Sequence, residues 1–399
     1  MLKVLQNRDF ARLFLSNFIS EIGTQIYRIA IPVWAYTLTG SPIATAGVVA
    51  AQFLASVVMG PLLSPLADLY DRKWLIFWSE ALSAVAVALL PLFFMESLAG
   101  WLLVAFLIGV FQAVGNPAVS AVVPELVGKD DLDAANSLIY LPRRSLEMVF
   151  MGLAGALVGL LGARAAFWID AVSFAFSALV LLSLRPLPAH RKRGGGGGYW
   201  GMVAGGLNYV FRNPVTRYVI GILAPAAMFG AIDATVPPVL ATKIFAGGDG
   251  NQGALFYGFM EAAFAAGAVL GLLSVATISK RFSRPVAFLG GLAVFGATEL
   301  LVGVFGSLWP VLALLLIMGF ANQIFIVPAR SMIQVGVESE FLGRVMAAWG
   351  AVMNGAALVG MMLGGFLAEF LGPQEAFVIG GAGVLFVALM GRLKGVPEV

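Results

Sequence analysis

Twelve runs of about twenty or more mostly apolar residues, divided by polar or Gly/Pro punctuation, take up nearly the whole chain. Hydrocarbon offers the backbone no hydrogen-bond partner, so a segment crossing it must satisfy its own N–H and C=O groups, as a helix does. The runs are numbered here as spans 1 to 12. They fall near 10–37, 43–67, 74–95, 99–121, 135–162, 165–186, 215–243, 253–278, 285–305, 308–330, 343–371 and 374–394. The fold class that follows is an all-α membrane protein with twelve transmembrane helices and the lipid bilayer as its main partner.

Composition agrees. Of 399 residues, 60% are hydrophobic and 11% charged, against about 45–50% and about 25% in soluble domains. The absence of cysteine excludes disulfides and thiolate metal sites, and the single histidine, His190, lies in a basic loop. No metal and no cofactor are expected. Residues 1–10 are polar and the first apolar run exceeds a signal peptide's apolar region, so no cleaved leader is expected.

Basic residues set the orientation. With the N-terminus in the cytoplasm, nineteen of the 24 lysines and arginines lie in or beside cytoplasmic segments, including Arg72, Lys73, Lys280, Arg281 and Arg284. Only Arg164 and Lys243 lie outside, and Arg28, Arg143 and Arg144 fall within spans. Cytoplasmic loops carry this excess in membrane proteins, which puts both termini inside and explains the net charge of +3 without nucleic acid.

A basic run followed by five glycines, between Pro186 and Tyr199, is the one clear linker. Tyr199–Arg212 reads as a short amphipathic helix on the membrane surface, stopped at Asn213-Pro214. The division is therefore 1–186, a cytoplasmic linker 187–214, and 215–399. The halves read as a parallel repeat displaced by about 211 residues. Asn116–Ser120 then aligns with Val327–Ser331, Asp68–Lys73 falls opposite Ser279–Arg284, and Glu21 falls within one residue of Asp233. Parallel six-helix repeats are a known transporter architecture.

Between spans 2 and 3 the sequence reads Ser64-Pro-Leu-Ala-Asp-Leu-Tyr-Asp-Arg-Lys73. This resembles the major facilitator superfamily signature G-x-L-A-D-R-x-G-R-K, matching at Leu66, Ala67, Asp68, Arg72 and Lys73 and departing at Ser64, Leu69 and Asp71. The stretches Leu38–Gly47, Asn116–Leu138, Trp168–Phe174, Phe211–Pro214 and Glu340–Ala347 are similar to the branch that exports enterobactin and macrolides. The resemblance covers nearly the whole chain. It implies two pseudo-symmetric six-helix bundles in the inner membrane and proton-driven export of an amphipathic small molecule. It also implies a conformational latch at Asp68, Arg72 and Lys73. The Gly-rich antiporter signature of span 5 is only approximated, with Ala156 where proline would stand.

Ionisable groups inside a membrane are costly and mark function by default. Span 1 carries Asn17, Glu21, Gln25 and Arg28 at spacings that share one helix face. Span 5 carries Arg143, Arg144 and Glu147 in the same way. Glu21, Asp233 and Glu147 are the candidate proton-coupling residues. Asn17, Gln25, Arg28, Arg143, Arg144, Glu261, Glu299 and Asn354 are the candidate cavity residues. Glu80 adds a further membrane acid, and Asp170, near the outer end of span 6, reads as structural. Glycines at Gly152/Gly155/Gly159, Gly267/Gly271 and Gly360/Gly364/Gly365 read as faces for close helix packing.

The leading reading is a monomeric secondary exporter working by alternating access with protons as coupling ion. Two alternatives stay open on the same fold: a lysophospholipid or lipid flippase, with arginines on the head group, and a siderophore exporter. An enzyme is disfavoured. No H-E-x-x-H or G-x-S-x-G is present, and the glycines 194–198 lack the Lys-Ser/Thr of a phosphate-binding loop.

Overall fold

The apolar runs close their backbone hydrogen bonds internally as helices, most of them one long helix per run. A computed structural model describes residues 2–63, 66–127, 132–186 and 199–393. Span 1 is Arg8–Thr39, span 2 Pro42–Leu63, and span 3 Arg72–Leu89 with a wider last turn, Leu90–Phe94. Span 4 is Leu98–Val127, followed by one helical stretch, Leu132–Leu182, that holds spans 5 and 6. After the linker helix Tyr199–Arg212, span 7 begins at Pro214 and spans 8 to 12 are Gly250–Arg281, Arg284–Val304, Leu308–Gly336, Ser339–Phe370 and Pro373–Leu393. Ten of the described stretches are long and apolar enough to cross a membrane by length and composition. Span 1 is not among them, because its polar stripe lowers its hydropathy.

Local sequence sets the ends and breaks. Asn7 caps span 1 by accepting from the N–H groups of Asp9 and Phe10, and its own amide donates to Leu126 O at 2.6 Å. Gly40 ends the helix in the left-handed region at φ 66°. Spans 5 and 6 turn against one another at Gly162, whose φ of 79° and ψ of 164° lie outside any helix. Asn213 accepts from the N–H groups of Val215 and Thr216, and Pro214 takes the first helical position of span 7.

Near the end of span 7 the sequence carries Pro237-Pro238, a pair that frees backbone carbonyls and favours a bend. The helix is interrupted before them: Pro214–Gly230 gives way to a tight turn at Ala231–Ala234, and the prolines open the next helical piece, Pro237–Leu240. A proline lacks an N–H but fits a helix's first turn, so the break moves one turn ahead of the pair.

The chain forms two compact units. The first takes spans 1 and 3 to 6, span 2 from Gly47, and the opening turns of span 8, Gly248–Gly258. Those turns pack on span 5, where Gly155 and Gly258 meet with no room for a β-carbon on either. At one end of this unit a cluster including Phe10, Leu13, Ile76, Val122, Leu126 and Leu181 is buried. Further along, Tyr27 and Trp101 stack edge-on against Phe167 at 6.1 and 5.3 Å. The second unit takes the linker helix, spans 7 and 9 to 12, span 8 from Phe259, and the opening residues of span 2, Ser41–Ala46. Those residues sit on span 11: Ser41 Oγ donates to Glu369 Oε2 at 2.6 Å, and Gly365 leaves space for Ala46.

Candidate coupling site in each unit

In the first unit, spans 1, 3 and 6 each present a polar face to the others. Ser16, Ser20, Gly23 and Tyr27 follow one another at four, three and four residues on span 1. On span 6, Asp170, Ser173 and Ser177 are spaced three and four apart. The two faces meet directly: Ser16 Oγ and Ser177 Oγ are 2.6 Å apart, and Gly23 lies against Ser173 and Asp170. Span 3 contributes Glu80, which hydrogen-bonds with Ser20 and Ser177. Glu21, Glu80 and Asp170 lie within electrostatic range of one another, and Tyr27 within range of Asp170. Asp170 is fully buried, and Glu80 Oε2, Asp170 Oδ2 and Tyr27 Oη are enclosed without a hydrogen-bond partner.

The second unit gathers acids from spans 7, 8 and 9. Asp233 stands in the tight turn that breaks span 7, half-buried, within electrostatic range of Glu261 and Glu299. Thr235, just past the turn, is tied to span 11 by a hydrogen bond from Oγ1 to Met361 O at 3.1 Å. Glu299 is fully buried and neither carboxylate oxygen has a hydrogen-bond partner. It fits because span 12 has glycine opposite: a β-carbon on Gly380 would lie 2.7 Å from Glu299 Oε1.

The remaining residues singled out by sequence are placed as follows. Along span 1, Gln25 Nε2 donates to Glu21 Oε1 at 2.5 Å and Arg28 reaches Gln25 Oε1 at 3.4 Å, forming one chain on one face. Gln25 is fully buried, Asn17 and Glu21 half-buried, and Arg28 exposed at the surface of the helix bundle. Asn354 is exposed and Glu261 half-buried. Arg72 pairs with Glu125 at the end of span 4, while Lys73 Nζ donates to the carbonyls of Leu182 and Leu184 at 2.8 and 2.6 Å. The side chains of Asp68, Arg143, Arg144 and Glu147 lie outside the described residues, as does the linker 187–198. Among the described residues no group of three or more acids or histidines is placed to hold a metal ion.

Glu80, Asp170 and the serines around them are the part of the site that single-helix spacing does not single out. Their signal is present: small and hydroxyl residues recur at helical spacing on spans 1 and 6, each stripe ending in a titratable group. What sequence lacks is the knowledge that the two stripes face one another.

The model of the transmembrane secretion effector family matches residues 2–399. The chain belongs to that family, within the major facilitator superfamily. This secretion-effector transporter is 25% identical over 403 residues to the enterobactin exporter EntS of Escherichia coli, covering 96% of this chain and 90% of that one. It is 25% identical over 373 residues to the multidrug efflux pump Tap of Mycolicibacterium fortuitum, covering 89% and 88%. In fold it matches the nucleoside transporter NupG, with a TM-score of 0.77 at 15% identity over 96% of this chain and 98% of that one. That similarity shows the all-helical major facilitator fold, and the chain is a multi-pass membrane transporter.

Proposed function

We propose that this transporter exports amphipathic, drug- or macrolide-like molecules across the inner membrane by alternating access, as a monomer driven by proton influx. The observation that carries the reading is the pair of acid clusters: Glu21, Glu80 and Asp170 in one unit, and Asp233, Glu261 and Glu299 in the other. Asp170 and Glu299 are fully buried with carboxylate oxygens that lack a hydrogen-bond partner; an ionised carboxylate so placed is strongly disfavoured, so carboxyls of this kind exchange protons when their surroundings change. Repeat-related spans 1 and 7 carry Glu21 and Asp233, and repeat-related spans 3 and 9 carry Glu80 and Glu299. Similarity to an enterobactin exporter and a multidrug pump supports the outward direction.

The similarity to EntS favours a second reading, in which the cargo is a catecholate siderophore. Proteoliposomes under an imposed pH gradient separate the two. Gradient-driven movement of a lipophilic dye or a macrolide, lost in Glu21→Gln and Asp233→Asn, supports the first. Movement of a catecholate alone supports the second.

A further inference from the structure

The mechanism above counts Glu80 and Asp170 in its acid cluster but gives them no separate task; Glu80 is half-buried and Asp170 fully buried. We infer that Glu80 and Asp170 form a carboxyl pair that holds one proton between spans 1, 3 and 6, with Asp170 the fully buried member. The inference deepens the proton-coupled reading and rests on it for its role in transport, though not for the proton itself.

The argument starts from hydrogen bonding. Buried polar atoms in folded proteins almost always have partners, and each exception needs a physical reason. Three exceptions meet here: Glu80 Oε2, Asp170 Oδ2 and the Tyr27 hydroxyl. Two ionised carboxyls in electrostatic range, one of them with no exposed surface, would repel one another in a medium that does not screen them. A proton on one removes that repulsion and turns an orphaned acceptor oxygen into a donor.

Among the described residues, the charged and titratable groups facing the pair are Glu21 and Tyr27 from span 1, with Glu80 itself from span 3 and Asp170 from span 6. Span 4 contributes the apolar ring of Trp101, edge-on to Phe167 one turn from Asp170. The hydroxyls divide the labour. Ser20 and Ser177 bond to Glu80, the carboxyl with hydroxyl support, whereas Ser173 gives its hydrogen to the Asp170 main-chain carbonyl at 2.8 Å. Its oxygen is 3.5 Å from Asp170 Oδ1, so Asp170 is the carboxyl left with weaker support and the one that carries the proton.

A sodium ion would neutralise the same pair. It is disfavoured because a hard cation wants several oxygens converging on one point. Here the Ser177 hydroxyl is shared between Ser16, at 2.6 Å, and Glu80, and among the described residues no three acids are placed to hold a metal ion. Gly23 completes the arrangement: a β-carbon there would lie 2.6 Å from Asp170 Oδ1, so span 1 leaves space for the carboxyl head alone. On release, the Asp170 O–H bond breaks and its electron pair stays on Oδ2. The proton passes toward Glu21, a half-buried member of the cluster.

The test is infrared spectroscopy of the full-length protein in lipid nanodiscs at neutral pH, reading the C=O stretch of protonated carboxyls in light and heavy water. Wild type is expected to show buried, protonated-carboxyl absorption, one component of which disappears in Asp170→Asn while that of Glu299 remains. Glu80→Gln, an independent variant, is expected to shift the component lost in Asp170→Asn. Asp170→Asn copies the shape of the neutral acid, so its melting temperature should stay within a few degrees of wild type. No such component in wild type, or absorption unchanged in both variants, overturns the inference. So does a rise in melting temperature specific to NaCl over choline chloride, which assigns the pair to sodium. The component does not depend on transport: if it is present but transport ignores the pH gradient, the functional reading falls and the proton pair stands.

Discussion

Gly23 on span 1 faces Asp170 on span 6 so closely that a β-carbon in place of its hydrogen would sit 2.6 Å from the carboxylate and overlap Ser173. A buried acid and the missing side chain that makes room for it are thus one device shared by two helices. Gly380 and Glu299 repeat it in the second unit, at 2.7 Å.

Gly23→Ala forces its methyl group into Ser173 Oγ and Asp170. Overpacking of this kind costs about 1–3 kcal/mol. A lower melting temperature is expected in detergent or nanodiscs, and the Asp170→Asn background should not rescue it, because the overlap with Ser173 remains. An unchanged melting temperature would mean that the helices separate here more readily than their packing implies.

Glu299 has no exposed surface and two oxygens without partners, so the folded protein is served as well by an amide as by a neutral acid. Glu299→Gln should therefore fold with a melting temperature at or above that of wild type, while Gly380→Leu, which fills the space the carboxyl uses, should not accumulate in the membrane. A large drop for Glu299→Gln would point to an ionised, bonded carboxylate instead. Expression level and thermal unfolding read both.

Lys73 closes the last turn of span 6 by donating to Leu182 O and Leu184 O. Such charge-assisted bonds to otherwise open carbonyls are worth about 2 kcal/mol. Lys73→Met should lower the melting temperature and raise hydrogen–deuterium exchange at 180–184, with Lys73→Arg intermediate. Equal exchange in wild type and Lys73→Met would remove the capping role.

Gly162 adopts φ 79°, where an L-residue pays for crowding of its β-carbon, although there is space around it. Gly162→Ala should cost roughly 1–3 kcal/mol through the backbone alone. Gly60, which has equally open surroundings and no positive φ, is the control: Gly60→Ala should leave stability unchanged or raised.

Much of the fold is legible in the sequence, because lipid imposes a length and an apolar character on every span. The linker helix at Tyr199–Arg212 and its stop at Asn213-Pro214 follow from local rules of amphipathicity and capping, and both are found. The break in span 7 is legible only in part. Pro237-Pro238 announces it, but their fitness for a first turn places it earlier, at Ala231–Ala234. The acid clusters are the least legible feature. Helical spacing reveals Glu21 with Gln25 and Arg28 along one helix, whereas Glu80 and Asp170 meet only through the packing of spans 1, 3 and 6. Glu299 likewise depends on a glycine 81 residues away, on a helix that carries no charge of its own at that level.

The most direct test of the account is cargo movement in proteoliposomes containing the full chain, with the pH gradient present, absent or reversed. The expected result is dye or macrolide movement that follows the gradient in wild type and is uncoupled from it in Glu21→Gln combined with Asp233→Asn. Equal movement with and without the gradient in wild type would contradict proton coupling, and the buried carboxyls would then be packing elements of the two units.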